Sequence, residues 1–197
     1  MVIITHKNIT FAILIAWQVL IFLIPMMVNA LIFRQVEPPR MDTYSKIGDW
    51  VFACDLYKEI EWNENIRLAQ FLGEKSKDIV YVLPHIQPTL RNAAVIRKDF
   101  FPIGVRQNKN PDYFFRGRFV DGKSMNDTNP ENRKTAKRAI QNRLRNAFLQ
   151  ADDAFLEIPI TFPLGWIEGA IKGKLKSSKN RHIIYVKYGD DLLVFGG

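Results

Sequence analysis

The sequence predicts an α+β protein in which one N-terminal transmembrane helix precedes a single soluble domain of mixed α/β character. Three observations carry this prediction. No charge occurs between Asn8 and Arg34, apolar residues recur every three or four positions further on, and short β-type runs alternate with turn residues. The chain has 197 residues, 47% hydrophobic and 24% charged, which excludes a disordered protein. Its one cysteine, Cys54, excludes an internal disulfide.

Composition divides the chain into four segments. Residues 1–8 form a short tail, residues 9–33 the predicted transmembrane helix, residues 34–41 a proline-rich linker, and residues 42–197 the basic α+β domain. A helix of about 25 residues spans roughly 37 Å, enough to cross a hydrocarbon core of ~30 Å. The predicted location is therefore a bacterial inner membrane or an organellar membrane, with the protein crossing it once.

Two amides, Gln18 and Asn29, lie inside the apolar run. A polar side chain that faces lipid is costly, so Gln18 and Asn29 are candidate contacts to other membrane helices, and a position near backbone carbonyls or the membrane interface is the alternative. A cleaved signal peptide is the alternative, because Val28 and Ala30 satisfy the small-residue rule for cleavage.

The sequence of the first half of the domain predicts one helix followed by strands. Residues 42–74 show apolar side chains at helical spacing, with Gly73 as the stop. The β-type runs that follow predict strands at residues 79–83, 93–96 and 113–120. Asp121-Gly122 is a predicted turn.

The second half predicts a basic helix between strands. Thr128 or Asn129 is the expected N-cap, with Pro130 in the first turn. The apolar stripe of this helix consists of Ala136, Ile140, Leu144, Ala147 and Phe148. Residues 155–162 predict a strand. The segments Ile183–Tyr188 and Leu192–Phe195 predict a hairpin around Gly189-Asp190-Asp191.

The net charge of +8 predicts an anionic partner. The cations of the basic helix are Lys134, Lys137, Arg138, Arg143 and Arg145. They suit a nucleic-acid backbone or anionic lipid headgroups, and a merely solvated helix face is the alternative. His6, His85 and His182 lack partners at metal-ligand spacing, so neither a metal nor a cofactor is predicted.

The hairpin Tyr185–Phe195, with Asp190-Asp191 at its turn, resembles the metal-binding hairpin of retroelement-type reverse transcriptases. Further collinear segments that resemble this family are 94–98, 118–126, 153–159 and 163–166. The resemblance implies nucleotidyl transfer with magnesium held by Asp190, Asp191 and a third aspartate. That third position falls on Gln150, which leaves Asp152 as a displaced substitute.

Three functional hypotheses remain open. The first is a non-enzymatic accessory subunit that stabilises a larger membrane complex of the respiratory, photosynthetic, secretion or conjugation type, with other integral membrane proteins as partners. The second is a degenerate reverse-transcriptase-like nucleic-acid module. The third is a membrane-tethered binder of anionic lipid or nucleic acid. The sequence favours the first, because no complete catalytic set can be assembled from it.

Overall fold

One mixed β-sheet organises the described part of the chain and follows the sequence strand by strand. The computed structural model describes residues 40–56, 61–87, 89–101 and 108–197. Its eight strands lie in the sheet in chain order. They are β1 (Tyr44–Lys46), β2 (Val51–Cys54), β3 (Val80–Val82), β4 (Tyr113–Phe115), β5 (Arg118–Ser124), β6 (Asp153–Ile158), β7 (Ile183–Tyr188) and β8 (Asp191–Gly196).

Four α-helices and one short 3₁₀-helix accompany these strands in the described residues. The α-helices are α1 (Trp62–Ser76), α2 (Ala93–Phe100), α3 (Arg133–Gln150) and α4 (Leu164–Ser177), and the 3₁₀-helix is Met41–Thr43. The pairs β2/β3, β5/β6 and β6/β7 are parallel, and α1, α3 and α4 respectively make their crossovers. The remaining pairs are antiparallel. Strands β2, β3, β5, β6 and β7 therefore end at the same edge of the sheet.

The sheet is buried on both faces at its centre. All six residues of β6 are buried, as expected for a strand with parallel neighbours and helices on either side. Phe155 packs on the α1 face with Leu68 and Leu72. Leu156 packs on the opposite face, in the cluster to which Ile140 of α3 belongs. Packed side chains therefore cover both faces of the sheet at β6.

The membrane part of the fold prediction is corrected. None of the helices in the described ranges is long and apolar enough to cross a membrane. The longest of them, α3, spans 18 residues but carries charged side chains along its exposed face. The predicted transmembrane segment 9–33, with Gln18 and Asn29, lies outside the described residues. The fold class that the structure supports is an α+β fold with an eight-stranded mixed sheet and four helices in its described part.

The predicted helix over residues 42–74 is wrong in its first half, which forms β1 and β2. Strand β2 is buried on both faces, with Val51 and Ala53 toward α1 and Cys54 on the other side. A strand that is apolar at nearly every position also satisfies a spacing of three, so its periodicity imitates a helix. The helix begins only at Trp62.

The predicted strand over residues 93–96 is wrong, because this segment begins α2. The buried residues of this helix are Ala93, Arg97 and Phe100, at spacings of four and three, which is helical. The predicted strand over 113–120 is divided by a turn at Arg116-Gly117, where both residues have positive φ. The predicted turn at Asp121-Gly122 is wrong, because both residues lie inside β5.

The predictions for the C-terminal part of the chain agree more closely with the structure. The β7–β8 hairpin and the apolar stripe of α3 are confirmed. The N-cap of α3 is Asn132 rather than Thr128 or Asn129, and its side chain accepts the backbone N–H of Lys134 and Thr135. Strand β6 ends at Ile158, before Pro159, and α4 is an element that the sequence pattern does not predict.

Candidate functional site

A cleft of about 530 Å³ opens where β5 ends. Helix α1 contributes Glu64 and Asn65 to one wall, together with Glu61 just before it, and α3 contributes Arg143 to another. The floor is formed by β5 and the turn that follows, residues 122–127 with the exception of Met125. Clefts outside the carboxyl ends of parallel strands are the usual ligand sites of such sheets.

Two aspartates face each other beside this cleft. Tyr113 pairs with Val120 in the β4/β5 ladder, so one further step places Asp112 opposite Asp121 on the same face. The side chain of Asp121 is only 2% exposed. Burial, and then the negative charge of Asp112, raise the pKa of Asp121 to about 8. The carboxyl of Asp121 therefore binds a proton far more readily than an exposed aspartate does.

Lys123 completes this cluster, because it follows Asp121 by two positions on the same face of β5. Its Nζ lies 2.6 Å from Asp121 Oδ2. Burial acts to lower the pKa of Lys123, but the attraction of Asp121 and Asp112 outweighs burial and raises it. The lysine is thus a cation, 28% exposed, beside the buried carboxyl of Asp121.

Gly122 allows the two strands to approach closely at this point. Its backbone N–H donates to Asp112 Oδ2 over 2.7 Å and so fixes that carboxylate. A Cβ at this position would lie 3.0 Å from Tyr113 Cε2 and 3.3 Å from Asp112 Oδ2. The hydroxyl of Tyr113 in turn donates to Asn65 Oδ1 on α1 at 3.1 Å. The Tyr113–Asn65 hydrogen bond therefore joins β4, next to Asp112, to the α1 wall.

A second charged cluster, centred on Glu157, stabilises the other side of the floor. Arg67 donates to both carboxylate oxygens of Glu157, at 2.8 and 2.7 Å. Lys187 Nζ lies 3.0 Å from Oε1, and Asn126 Nδ2 donates to Oε2 at 2.9 Å. Burial acts to raise the pKa of Glu157, but the hydrogen bonds from Arg67 and Lys187 prevail and lower it to about 2. Its acceptor positions are filled, so Glu157 joins α1, β5, β6 and β7 rather than binding a ligand.

The cations predicted on the basic helix lie along α3. Lys134, Lys137, Arg138 and Arg145 are exposed, and none of the four makes an ion pair within the described ranges. Arg143 differs, because it borders the cleft and contacts Asp127. The structure therefore brings one of the five predicted cations to the site.

The aspartates implied by the reverse-transcriptase resemblance do not converge. Asp152 precedes β6 at the amino edge of the sheet, whereas Asp190 and Asp191 follow β7 at the carboxyl edge, where both are exposed. Six strand residues separate these edges, or about 20 Å. In the part of the chain that the structure describes, no three His, Cys, Asp or Glu side chains form a metal-binding group.

Sequence reasoning missed Asp112, Asp121 and Lys123. A signal was present, since Asp121 and Lys123 are charged residues at alternate positions directly after the apolar pair Phe119-Val120, which places both on one face if the strand continues. The Gly between them favoured a turn instead. The opposition of Asp112 and Asp121 depends on the β4/β5 register, which composition does not specify.

No protein family, curated protein or solved structure matches this chain.

Proposed function

We propose that the protein is a divalent-metal-dependent phosphodiesterase that hydrolyses nucleic acid. The observation that carries the proposal is the opposed pair Asp112 and Asp121 beside Lys123, which lines the cleft. A paired carboxylate with a strongly raised pKa, next to a cation and a cleft, is a common mark of a catalytic site.

The residues present fit a magnesium ion. Mg²⁺ is usually held by one or two carboxylates, with waters and substrate phosphate filling the other positions, so two aspartates suffice. Asp121 Oδ2 is buried and pairs with Lys123 Nζ at 2.6 Å, so a bound cation would share this oxygen with the lysine or displace the lysine from it. A divalent cation would also remove the repulsion that raises the pKa of Asp121.

The bound ion would polarise a phosphoryl oxygen and lower the pKa of a coordinated water. The protein's own groups then have distinct tasks. Asp112 and Asp121 provide the anionic ligands, and the Gly122 N–H keeps Asp112 oriented. Lys123 Nζ supplies positive charge where negative charge grows on the phosphate in the transition state. Glu157 positions Asn126, which borders the cleft, through a hydrogen bond.

Nucleic acid is the substrate class that the charge of the protein favours. The net charge is +8, and α3 presents exposed cations without carboxylate partners in the described ranges. Such cations bind phosphate backbones through release of counterions.

The test is hydrolysis of labelled single- and double-stranded DNA and RNA, with Mg²⁺ and with EDTA. We expect cleavage that needs the metal, is abolished in Asp112→Asn and Asp121→Asn, and falls by about 100-fold or more in Lys123→Ala. Asp191→Asn is the matched control, because Asp191 is an exposed strand residue away from the cluster. Full activity in Asp121→Asn, or no metal-dependent cleavage of any substrate, would overturn the proposal.

The non-enzymatic subunit hypothesis stays a prediction of the sequence. No observation in the described residues supports it, and no helix there is long and apolar enough to supply its membrane span. The phosphodiesterase proposal is preferred because it accounts for the buried charges around the cleft.

A further inference from the structure

Arg143 occupies an unusual position among the arginines of this structure, because it borders the cleft and has a weak partner. Its Nη2 donates to Asp127 Oδ1 and Oδ2 at 3.2 and 3.3 Å. The side chain of Asp127 is 75% exposed. Both distances are long for a charged hydrogen bond. Only one of the guanidinium nitrogens donates to the carboxylate, so the pair lacks the two parallel hydrogen bonds of a bidentate arginine–carboxylate contact.

The contrast with Arg67 shows what a structural arginine looks like here. Arg67 uses two nitrogens on Glu157 at 2.7 and 2.8 Å, and that carboxylate is only 6% exposed. An exposed ion pair such as Arg143–Asp127 contributes little to stability, because water competes for both charges. Arg143 can therefore leave Asp127 at small cost.

We propose that Arg143 binds a phosphate of the substrate by exchanging Asp127 for it, so that Asp127 limits the affinity of the cleft for phosphodiesters. This inference rests on the proposed function. A phosphate offers two oxygens in the geometry of the guanidinium fork, which Asp127 does not fill. Arg143 and Lys123 both line the cleft, so a substrate there meets cations from both α3 and β5.

A purely structural role for Arg143 makes a different prediction. In that case the arginine only ties α3 to the turn after β5, and removing either partner would lower the melting temperature equally and leave the KM unchanged. The exchange mechanism requires opposite effects of the two partners on KM, because one binds the substrate and the other competes with it.

The experiment measures kcat, KM and melting temperature for Arg143→Ala, Arg143→Lys and Asp127→Asn with a labelled oligonucleotide and Mg²⁺. We expect KM to rise about tenfold in Arg143→Ala and less in Arg143→Lys, which keeps the charge but loses the fork. Asp127→Asn should lower KM by about two- to fivefold, because the arginine is released. The control is Arg116→Ala, which breaks an exposed pair with Asp78 at the opposite end of β5.

An unchanged KM in Arg143→Ala, or a KM that rises in Asp127→Asn, overturns the inference while the phosphodiesterase proposal stands. If the wild-type protein cleaves nothing, the proposed function fails instead. Oligonucleotide binding then decides the inference, which survives if Arg143→Ala weakens binding and Asp127→Asn strengthens it. Equal binding by all three proteins, or none, overturns it.

Discussion

Ionisation of the buried Asp121 carboxyl, which lies beside Asp112, is unfavourable in the folded protein. The pKa of Asp121 is about 8 in the folded protein, against an ordinary value of 3.8. Between about pH 4 and pH 8 the folded state therefore holds a proton that the unfolded state releases. Stability falls as the pH rises through this window. The ionised form of Asp121 is thus maintained at a cost in stability.

Asp121→Asn should consequently stabilise the protein without metal. We expect a gain of about 1–3 kcal/mol at pH 8, because the amide resembles the protonated carboxyl and carries no charge. The gain should largely vanish near pH 4, where the wild-type carboxyl becomes protonated in the unfolded state as well. Thermal unfolding in EDTA across this pH range measures it. A variant no more stable than wild type at pH 8 would contradict the raised pKa.

Glu157 makes stability depend on pH in the opposite direction, because the pKa of its carboxyl is lowered to about 2 from an ordinary 4.5. Its contribution to stability is present above about pH 4.5 and is lost as the pH falls toward 2. We expect Glu157→Gln to cost about 1.5–3 kcal/mol at pH 7, since Arg67 and Lys187 lose their charged partner.

Urea denaturation at pH 7 and pH 3 measures this cost, which should shrink at the lower pH. Glu168→Gln is the matched control, because its pair with Lys172 is exposed on α4. The control should change stability by less than about 0.5 kcal/mol. Equal effects of the two substitutions would mean that Glu157 does not join the elements around the cleft.

At the scale of the elements, α3 shows how far local sequence determines structure. Its apolar stripe follows from 3.6-residue periodicity, and the structure confirms it. Its start could not be placed so well, because Thr128, Asn129 and Asn132 all have capping side chains. The structure selects Asn132, whose side chain and that of Thr135 form a reciprocal capping box.

This choice of N-cap is testable. We expect Asn132→Ala to destabilise the protein by about 1 kcal/mol, because two helical N–H groups lose their acceptor. Asn129→Ala removes the same side chain three residues earlier, outside the helix, and should be close to neutral. Chemical denaturation compares the two. A larger loss in Asn129→Ala would return the helix start to the predicted position.

The strands show why the candidate site was harder to predict than the hairpin. The β7–β8 hairpin is local, so alternation and a Gly-Asp turn suffice to find it. Strand β2 and the Asp112/Asp121 pair depend on neighbours that are distant in sequence or on exact register. A strand that is buried on both faces shows no alternation of apolar and polar residues. Asp121-Gly122 resembles a turn in sequence, and only the pairing of Tyr113 with Val120 between β4 and β5 shows that it lies inside a strand.

At the scale of the whole molecule, the excess of cations is expected to determine binding of an anionic partner more than the contacts of any single cation do. The composition alone predicts an anionic partner, and the exposed cations of α3 are consistent with that prediction. We expect the double variant Lys137→Gln, Arg138→Gln to bind single-stranded oligonucleotide with a shallower salt dependence. The log–log slope should decrease by about 0.7 for each phosphate that the variant no longer neutralises.

Fluorescence anisotropy at several salt concentrations measures that slope, in the presence of EDTA so that no substrate is cleaved. The control is Lys176→Gln, Lys179→Gln, which changes the net charge equally at and just beyond the end of α4. If both double variants change the slope alike, the effect belongs to net charge and α3 is not the binding surface.

The sequential order of the eight strands also affects how the protein is made. From β2 onward, each strand pairs with the strand that precedes it in the chain, so it finds that partner already synthesised. During translation the sheet can extend in one direction, and α1, α3 and α4 close each parallel crossover as they emerge. The cleft residues from Glu61 to Arg143 leave the ribosome before β6, β7 and β8. Each new strand thus covers the edge that its predecessor leaves exposed to other nascent chains.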